Sequence, residues 1–175
     1  MKKTQFVLGV IVSNQFGVLA RISGLFSRRG YNIDSLTVGE TEQPAFSRMT
    51  IVATGDSYIQ EQIVKQLEKL QEVHKVEILS PTEIVARELL LIKIAAAQGQ
   101  RAELMEAVQV FRCKVVDFTP ESVSIEVTGE DSKLDAFIEY ARGYGILELC
   151  RTGITALERG PHTLIDHQEE SHETN

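Results

Sequence analysis

The alternation of apolar and polar positions predicts the elements before any motif is considered. Phe6-Val7-Leu8-Gly9-Val10-Ile11-Val12 is apolar and largely β-branched on both alternating faces, as a strand inside a sheet requires. After Ser13-Asn14-Gln15-Phe16-Gly17, the residues Val18, Ile22, Leu25 and Phe26 fall on one stripe of a helix that starts near Gly17. Tyr31 to Val38 has weaker apolar character and carries Asn32, Asp34, Ser35 and Thr37, which suits an edge strand. Phe46 to Thr54 is the returning strand beyond the polar connection Gly39 to Pro44. Gly55-Asp56 breaks the chain, and Ser57 with Gln60 three residues on predicts a capping box. The helix that follows has Ile59, Ile63, Leu67 and Leu70 on one face, and Val73 to Leu79 closes the unit as a strand before Ser80-Pro81.

The order strand, helix, strand, strand, helix, strand then recurs. Glu88 to Ala96 is a strand, and Leu104, Ala107, Val108 and Phe111 mark a helix. Lys114 to Phe118 and Ser122 to Val127 flank the turn Thr119-Pro120-Glu121. A second helix starts at Asp131-Ser132 with Leu134, Phe137, Ile138 and Ala141 on its apolar side, and Ile146 to Leu157 is the last strand region. Two passes of one split order predict an α+β chain of two tandem ferredoxin-like βαββαβ domains, each an antiparallel sheet with helices on one face. The expected boundaries are 1–79, a linker over 80–87, a second domain over 88–160 and a polar acidic tail over 161–175. Domains of this size bury modest cores, and a sheet covered on one face leaves the other in need of a partner, so a dimer or larger assembly is expected.

Composition narrows the function classes. Hydrophobic residues make up 43% and charged residues 25% of the 175, as in a globular protein with material for a core. The net charge of −7, with Lys2-Lys3 and Arg28-Arg29 the only basic pairs, argues against a nucleic-acid backbone as partner. An RNA-binding version of the fold needs exposed aromatics flanked by basic residues, and Phe46 in Phe46-Ser47-Arg48 stands isolated. No apolar run is long enough to cross a bilayer and no signal-like segment opens the chain, so a cytoplasmic location is expected. Cys113 and Cys150 fit no metal-ligand spacing and are expected as small buried or half-buried residues. His162, His167 and His172 lie in the tail at a spacing of five, which does not align ligands on a helix face; no metal is expected there.

Catalytic chemistry is hard to find. His74 has no visible Cys or Asp partner, no phosphate-binding loop is present, and the acidic residues are spread along helix surfaces. The one suggestive place is the first strand-to-helix turn. A helix that begins there leaves N–H groups unpaired, which favour a carboxylate. Gly17 lets a ligand approach the backbone, and Asn14 carries both an acceptor and donors. Asn and Gly are also ordinary turn residues, and the turn by itself is read more simply as structural.

Longer motifs change that balance. Gly17-Val18-Leu19-Ala20-Arg21-Ile22, the run Gly24 to Val38 that contains Arg28-Arg29-Gly30-Tyr31-Asn32-Ile33-Asp34, and Ser47-Arg48-Met49-Thr50-Ile51 resemble the ACT domain of the small, regulatory subunits of acetolactate (acetohydroxyacid) synthase. Phe111-Arg112, Val115-Val116-Asp117, Gly129, Lys133 to Phe137 and Arg151-Thr152-Gly153-Ile154 resemble the C-terminal domain of the same family, so the resemblance runs to about Arg159 and leaves out the tail. It implies a non-catalytic chain without cofactors of its own. Its partner would be the catalytic large subunit, which carries thiamine diphosphate, magnesium and FAD and condenses pyruvate on the route to valine, leucine and isoleucine. It also implies a homodimer through the ACT domains and feedback inhibition by valine. The effector site would comprise Asn14, Gly17, Val18 and Leu19 of one chain with Asn32 and Ile33 of its mate. A free-standing amino-acid sensor built from the same domain is the alternative, and an enzyme in its own right is a further one.

Overall fold

The computed structural model describes residues 4–95 and 99–165. Thirteen residues at the ends and the three at 96–98 stand outside that description, including His167, His172 and the acidic residues Asp166, Glu169, Glu170 and Glu173 of the tail. The chain divides into two compact units: Met1–Val85 together with Ile154–Asn175, and Ala86–Gly153.

The first unit runs β1 (Thr4–Ser13), α1 (Val18–Arg28), β2 (Ile33–Glu40), β3 (Phe46–Gly55), α2 (Ser57–Leu67) and β4 (Val73–Leu79). Its antiparallel sheet has the order β2-β3-β1-β4, so the doubly apolar β1 is internal and the more polar β2 is an edge, as their compositions require. Phe6, Leu8, Val10 and Val12 alternate toward the helices, where they pack with Val18, Ile22, Leu25 and Phe26 of α1 and Ile63 and Leu67 of α2. Leu8, Val10, Ile51, Ile63 and Leu67 have no exposed surface, and each such side chain contributes roughly 1.5–3 kcal/mol. Capping falls one residue earlier than the Ser57–Gln60 box: Asp56 is the N-cap of α2, its carboxylate accepting from the N–H of Ile59 at 3.0 Å. The helix ends at Leu67, and Leu70 packs on the core from the turn beyond it.

The opposite face of this sheet is covered from within the unit. After Gly153, whose φ is +88°, β9 (Thr155–Glu158) and the segment behind it return across β1, β2 and β3. Ile154 donates its N–H to Ser35 Oγ at 3.0 Å and accepts from Thr37 Oγ1 at 3.0 Å. Arg48 Nη2 donates to the carbonyl of Ala156 at 2.9 Å, and the Ala156 N–H meets Thr50 Oγ1 at 3.4 Å. Leu164 is buried above Gly9, where a Cβ would lie 2.5 Å from Leu164 Cδ1 and would push that side chain aside. The expected single strand Ile146 to Leu157 is therefore two strands in two units, and residues 154–160, assigned by sequence to the second domain, belong to the first. Residues 161–165 of the expected tail are likewise seated on this unit.

The second unit contains most of β5 (Ile84–Ala95), then α3 (Arg101–Val110), β6 (Lys114–Phe118), β7 (Ser122–Gly129), α4 (Asp131–Ala141) and β8 (Ile146–Arg151). Its sheet order is β6-β7-β5-β8; β9 pairs with β5 beside Glu83, whose carbonyl takes the Arg159 N–H at 2.7 Å. The stretch read as a linker thus shortens to Ser80–Glu83, because β5 begins at Ile84. Leu90, Ile92 and Ile94 pack with Leu104, Val123, Ile125, Val127, Leu134 and Phe137 in a separate core. Arg151 closes it at one end, with Nε and Nη2 on the two oxygens of the buried Glu88 at 2.8 and 2.7 Å and Nη1 on Asp135 at 2.7 Å. The hydrogen bonds to Glu88, outweighing burial, hold the guanidinium more firmly protonated than usual. Cys113 is half-buried as expected, whereas Cys150 is exposed on β8, a short terminal strand of the path whose side chains are mostly open. Among the described residues no helix is long and apolar enough to cross a membrane.

Candidate functional site

The turn after β1 has the geometry of an open anion seat. Gly17 takes φ +86°, ψ −7°, a left-handed conformation that lets β1 turn directly into α1 and that costs any residue with a Cβ roughly 1–2 kcal/mol. It is the N-cap of α1, yet no side chain caps that end and no acidic residue lies in the first turn. The first intrahelical bond runs from the Arg21 N–H to the Gly17 carbonyl at 3.1 Å, so the preceding N–H groups of Val18, Leu19 and Ala20 have no partner within the helix. Nothing lies within 4 Å of where a Gly17 Cβ would be, and Phe16 and Leu19 beside it are exposed apolar side chains. Val18 turns its side chain into the core and can offer a ligand only its backbone.

Asn14 is more committed than its chemistry alone implies. Its Nδ2 donates to Glu40 Oε2 at 3.1 Å and to the Pro44 carbonyl at 3.0 Å, so both amide hydrogens serve the β2–β3 connection. What it offers a ligand is Oδ1, an acceptor suited to an ammonium. His74, without a partner by sequence, meets Ser13 Oγ through Nε2 at 2.7 Å and the Phe46 ring edge-on at 4.8 Å, a structural role at the same end of the sheet.

The six candidate residues fall into two groups. Ser13 pairs with Phe46 at one end of β3, whereas Ile33 pairs with Ala53 near the other. The seven residue steps from Phe46 to Ala53 span about 24 Å of strand. Within one chain, Asn14, Gly17, Val18 and Leu19 are brought together and Asn32 and Ile33 are held far from them. Asn32 is exposed, with Nδ2 on Asp34 Oδ1 at 2.7 Å, and Ile33 is half-buried against the first core. They sit at the start of the edge strand β2, while Glu40, bonded to Asn14, is its last residue.

A second constellation was not anticipated. On the covered face of the first unit, a cleft of about 320 Å³ is lined by Ile11, Arg48, Glu158, His162 and Leu164 among others. Arg48 Nε is buried there without a hydrogen-bond partner, and burial presses its guanidinium below the usual value while Glu158 and Glu42 oppose the shift. His162 Nε2 lies 3.2 Å from Glu77 Oε2 and 3.1 Å from Glu158 Oε2. Burial would raise the Glu77 carboxyl, but hydrogen bonds from His162 and Lys75 outweigh it and hold it below its ordinary value. The hydrogen bond to Glu77 and the charge of Glu158 hold the His162 imidazole above its own. No spacing rule in the sequence brings Glu77, Glu158 and His162 together, since they meet only because the chain returns.

The comparisons with known proteins match both units. Residues 8–75 fit the model of the ACT domain of small subunits of acetohydroxyacid synthase, and residues 87–160 fit the model described as the small subunit of acetolactate synthase. A probable acetolactate synthase small subunit from Methanothermobacter thermautotrophicus is 46% identical over 94% of this chain and 98% of its own length. The acetolactate synthase small subunit of Mycolicibacterium smegmatis is 49% identical over 88% of this chain and 91% of its own. The crystal structure of the acetolactate synthase small subunit of Thermotoga maritima superposes with a TM-score of 0.85 at 40% identity, over 91% of this chain and 99% of that one. Two family models that together take in both ferredoxin-like units, with relatives this similar along nearly the whole length, make the chain a member of the acetolactate synthase small-subunit family.

Proposed function

We propose that this chain is the regulatory subunit of an acetolactate synthase. In this reading it activates a thiamine-diphosphate-dependent catalytic subunit and makes it subject to feedback inhibition by valine. Membership in the family supports the regulatory part. The effector part is carried by one observation: the α1 N-terminus at Gly17 is neither capped by a side chain nor neutralised by an acidic residue, while the other expected ligands lie at the far end of the same edge strand.

That separation favours a shared site. Two copies meeting antiparallel along β2 would set the start of one β2, with Asn32 and Ile33, beside the end of the other, where Glu40 holds Asn14. A valine carboxylate would take the N–H groups after Gly17, its ammonium the Oδ1 of Asn14, and its isopropyl group the side chain of Ile33. An apolar pocket separates side chains differing by a methylene by about 1–3 kcal/mol, so leucine and isoleucine are expected as weaker effectors. Because both chains close the site, occupancy biases the dimer, and a coupling of about 1–3 kcal/mol to the catalytic subunit would give useful inhibition.

The test is calorimetric titration of the purified chain with valine, paired with sedimentation at the same concentration. The catalytic subunit is then assayed with and without this chain and with valine. Saturable heat, a dimer, higher activity in the mixture and its loss on adding valine are expected. No heat with valine, leucine or isoleucine, or a monomer throughout, would remove the shared-site reading.

A further inference from the structure

We propose that Glu77, Glu158 and His162 form a site for a divalent cation of the zinc class. The three residues come from separate segments, β4, β9 and the chain beyond β9, and their ligating atoms all lie within 4.8 Å of one another. His162 Nε2 stands 3.2 Å from Glu77 Oε2 and 3.1 Å from Glu158 Oε2. A tetrahedral zinc ion with N and O ligands at about 2.0–2.1 Å sets its ligand atoms roughly 3.4 Å apart, close to the two distances from His162.

The hydrogen bonding gives the second reason. A ring nitrogen carries one hydrogen, and here it faces two carboxylate oxygens. The hydrogen bond goes to Glu77, and Glu158 Oε2 is left buried with no hydrogen-bond partner. Glu158 Oε2 keeps only the ion pair with the ring 3.1 Å away, and a single proton cannot be donated to both acceptors. A cation in place of that hydrogen can bind all three atoms at once. Lys75 Nζ, 3.1 Å from Glu77 Oε1, would then hold the non-ligating oxygen and orient the carboxylate, as outer partners of metal ligands do. Lys75 and Arg48 add positive charge nearby, which weakens the attraction for a cation. Glu158 and His162 also line the cleft beside Arg48, so a fourth coordination position would open toward that cleft. One His and two carboxylates suit zinc better than magnesium, which prefers six oxygens. This inference does not depend on valine binding.

The experiment uses the full chain, stripped with a chelator and titrated with zinc chloride in the calorimeter and by thermal melting. One equivalent per chain is expected, with a rise in Tm and no competition from a large excess of magnesium. Glu158→Gln, nearly isosteric and neutral, should weaken binding at least tenfold and abolish the rise in Tm; His162→Ala should do the same. The pair His167→Ala with His172→Ala should leave binding unchanged, and cobalt(II) should give the visible bands of a tetrahedral N/O site. Zinc binding that survives Glu158→Gln, that is lost with the two distal histidines, or that brings a thiolate-to-cobalt band would overturn the proposal. So would the absence of any uptake.

Discussion

The two units share a topology and differ at the mouth of their first helices. In the first, α1 starts at a left-handed Gly17 with no capping side chain and no acid in the first turn. In the second, α3 follows Gln100 and carries Glu103 in its first turn, while Arg101 reaches the turn between β6 and β7. Its Nη2 meets the carbonyls of Thr119, at 2.6 Å, and Pro120, and its guanidinium lies 4.7 Å from the Phe118 ring centre. One copy of the fold leaves its helix dipole open to an outside anion, and the other meets it with a carboxylate of its own. The same architecture therefore carries an open helix end in one unit and a neutralised one in the other, because the difference lies in a handful of side chains rather than in the fold.

Phe26→Ala in the first unit and Phe137→Ala in the second, each fully buried, are expected to cost about 3–5 kcal/mol in denaturant melts. Only the first should also remove the response to valine, and loss of the response in both would mean that the units do not act separately. Arg151→Ala leaves the Glu88 carboxylate buried without its paired donors and is expected to lower the stability of the second unit by about 2–3 kcal/mol. Valine affinity should not move.

Gly17→Asp places a carboxylate where the proposed site would receive that of valine. It is expected to weaken valine binding roughly 30-fold, about 2 kcal/mol, while activation of the catalytic subunit persists. Gly17→Asn, similar in shape and at home in the left-handed region, separates charge from backbone strain and should bind far better than the aspartate. Glu103→Gln in the second unit should change nothing in the valine titration; a new binding event there would mean that the Glu103 carboxylate alone keeps anions from the start of α3. The smallest effect is at α2. Asp56→Ala should cost about 1 kcal/mol and Ser57→Ala only a few tenths, since the cap is the aspartate.

Sequence periodicity captured what is local. The doubly apolar β1, the polar edge β2 and the one-sided stripes of α1, α3 and α4 are visible because burial imposes period two or 3.6 on neighbouring residues. The cap of α2 was misread by one position because Asp56 and Ser57 are both good caps, and only the extended backbone at Asp56 decides between them. What depends on distant contact left no periodic trace. Ile146 to Leu157 looks continuous in hydropathy, but the positive φ of Gly153 divides it, and the partners of Ile154 and Ala156 are Ser35, Thr37, Arg48 and Thr50, more than a hundred positions earlier. The candidate effector turn was legible because strand, glycine and helix are adjacent in the chain. The commitment of both Asn14 hydrogens to Glu40 and Pro44 was not, because it depends on how the β2–β3 connection folds over.

The return of residues 154–165 onto the first sheet has a consequence for biosynthesis. A ribosome releases the second unit in one continuous stretch, whereas the first must wait for its last lid until the whole of the second has been synthesised. During that interval Gly9, Thr50 and their neighbours stand open to water. A nascent chain paused after Gly153 would thus present an uncovered sheet to any chaperone or sister chain at hand.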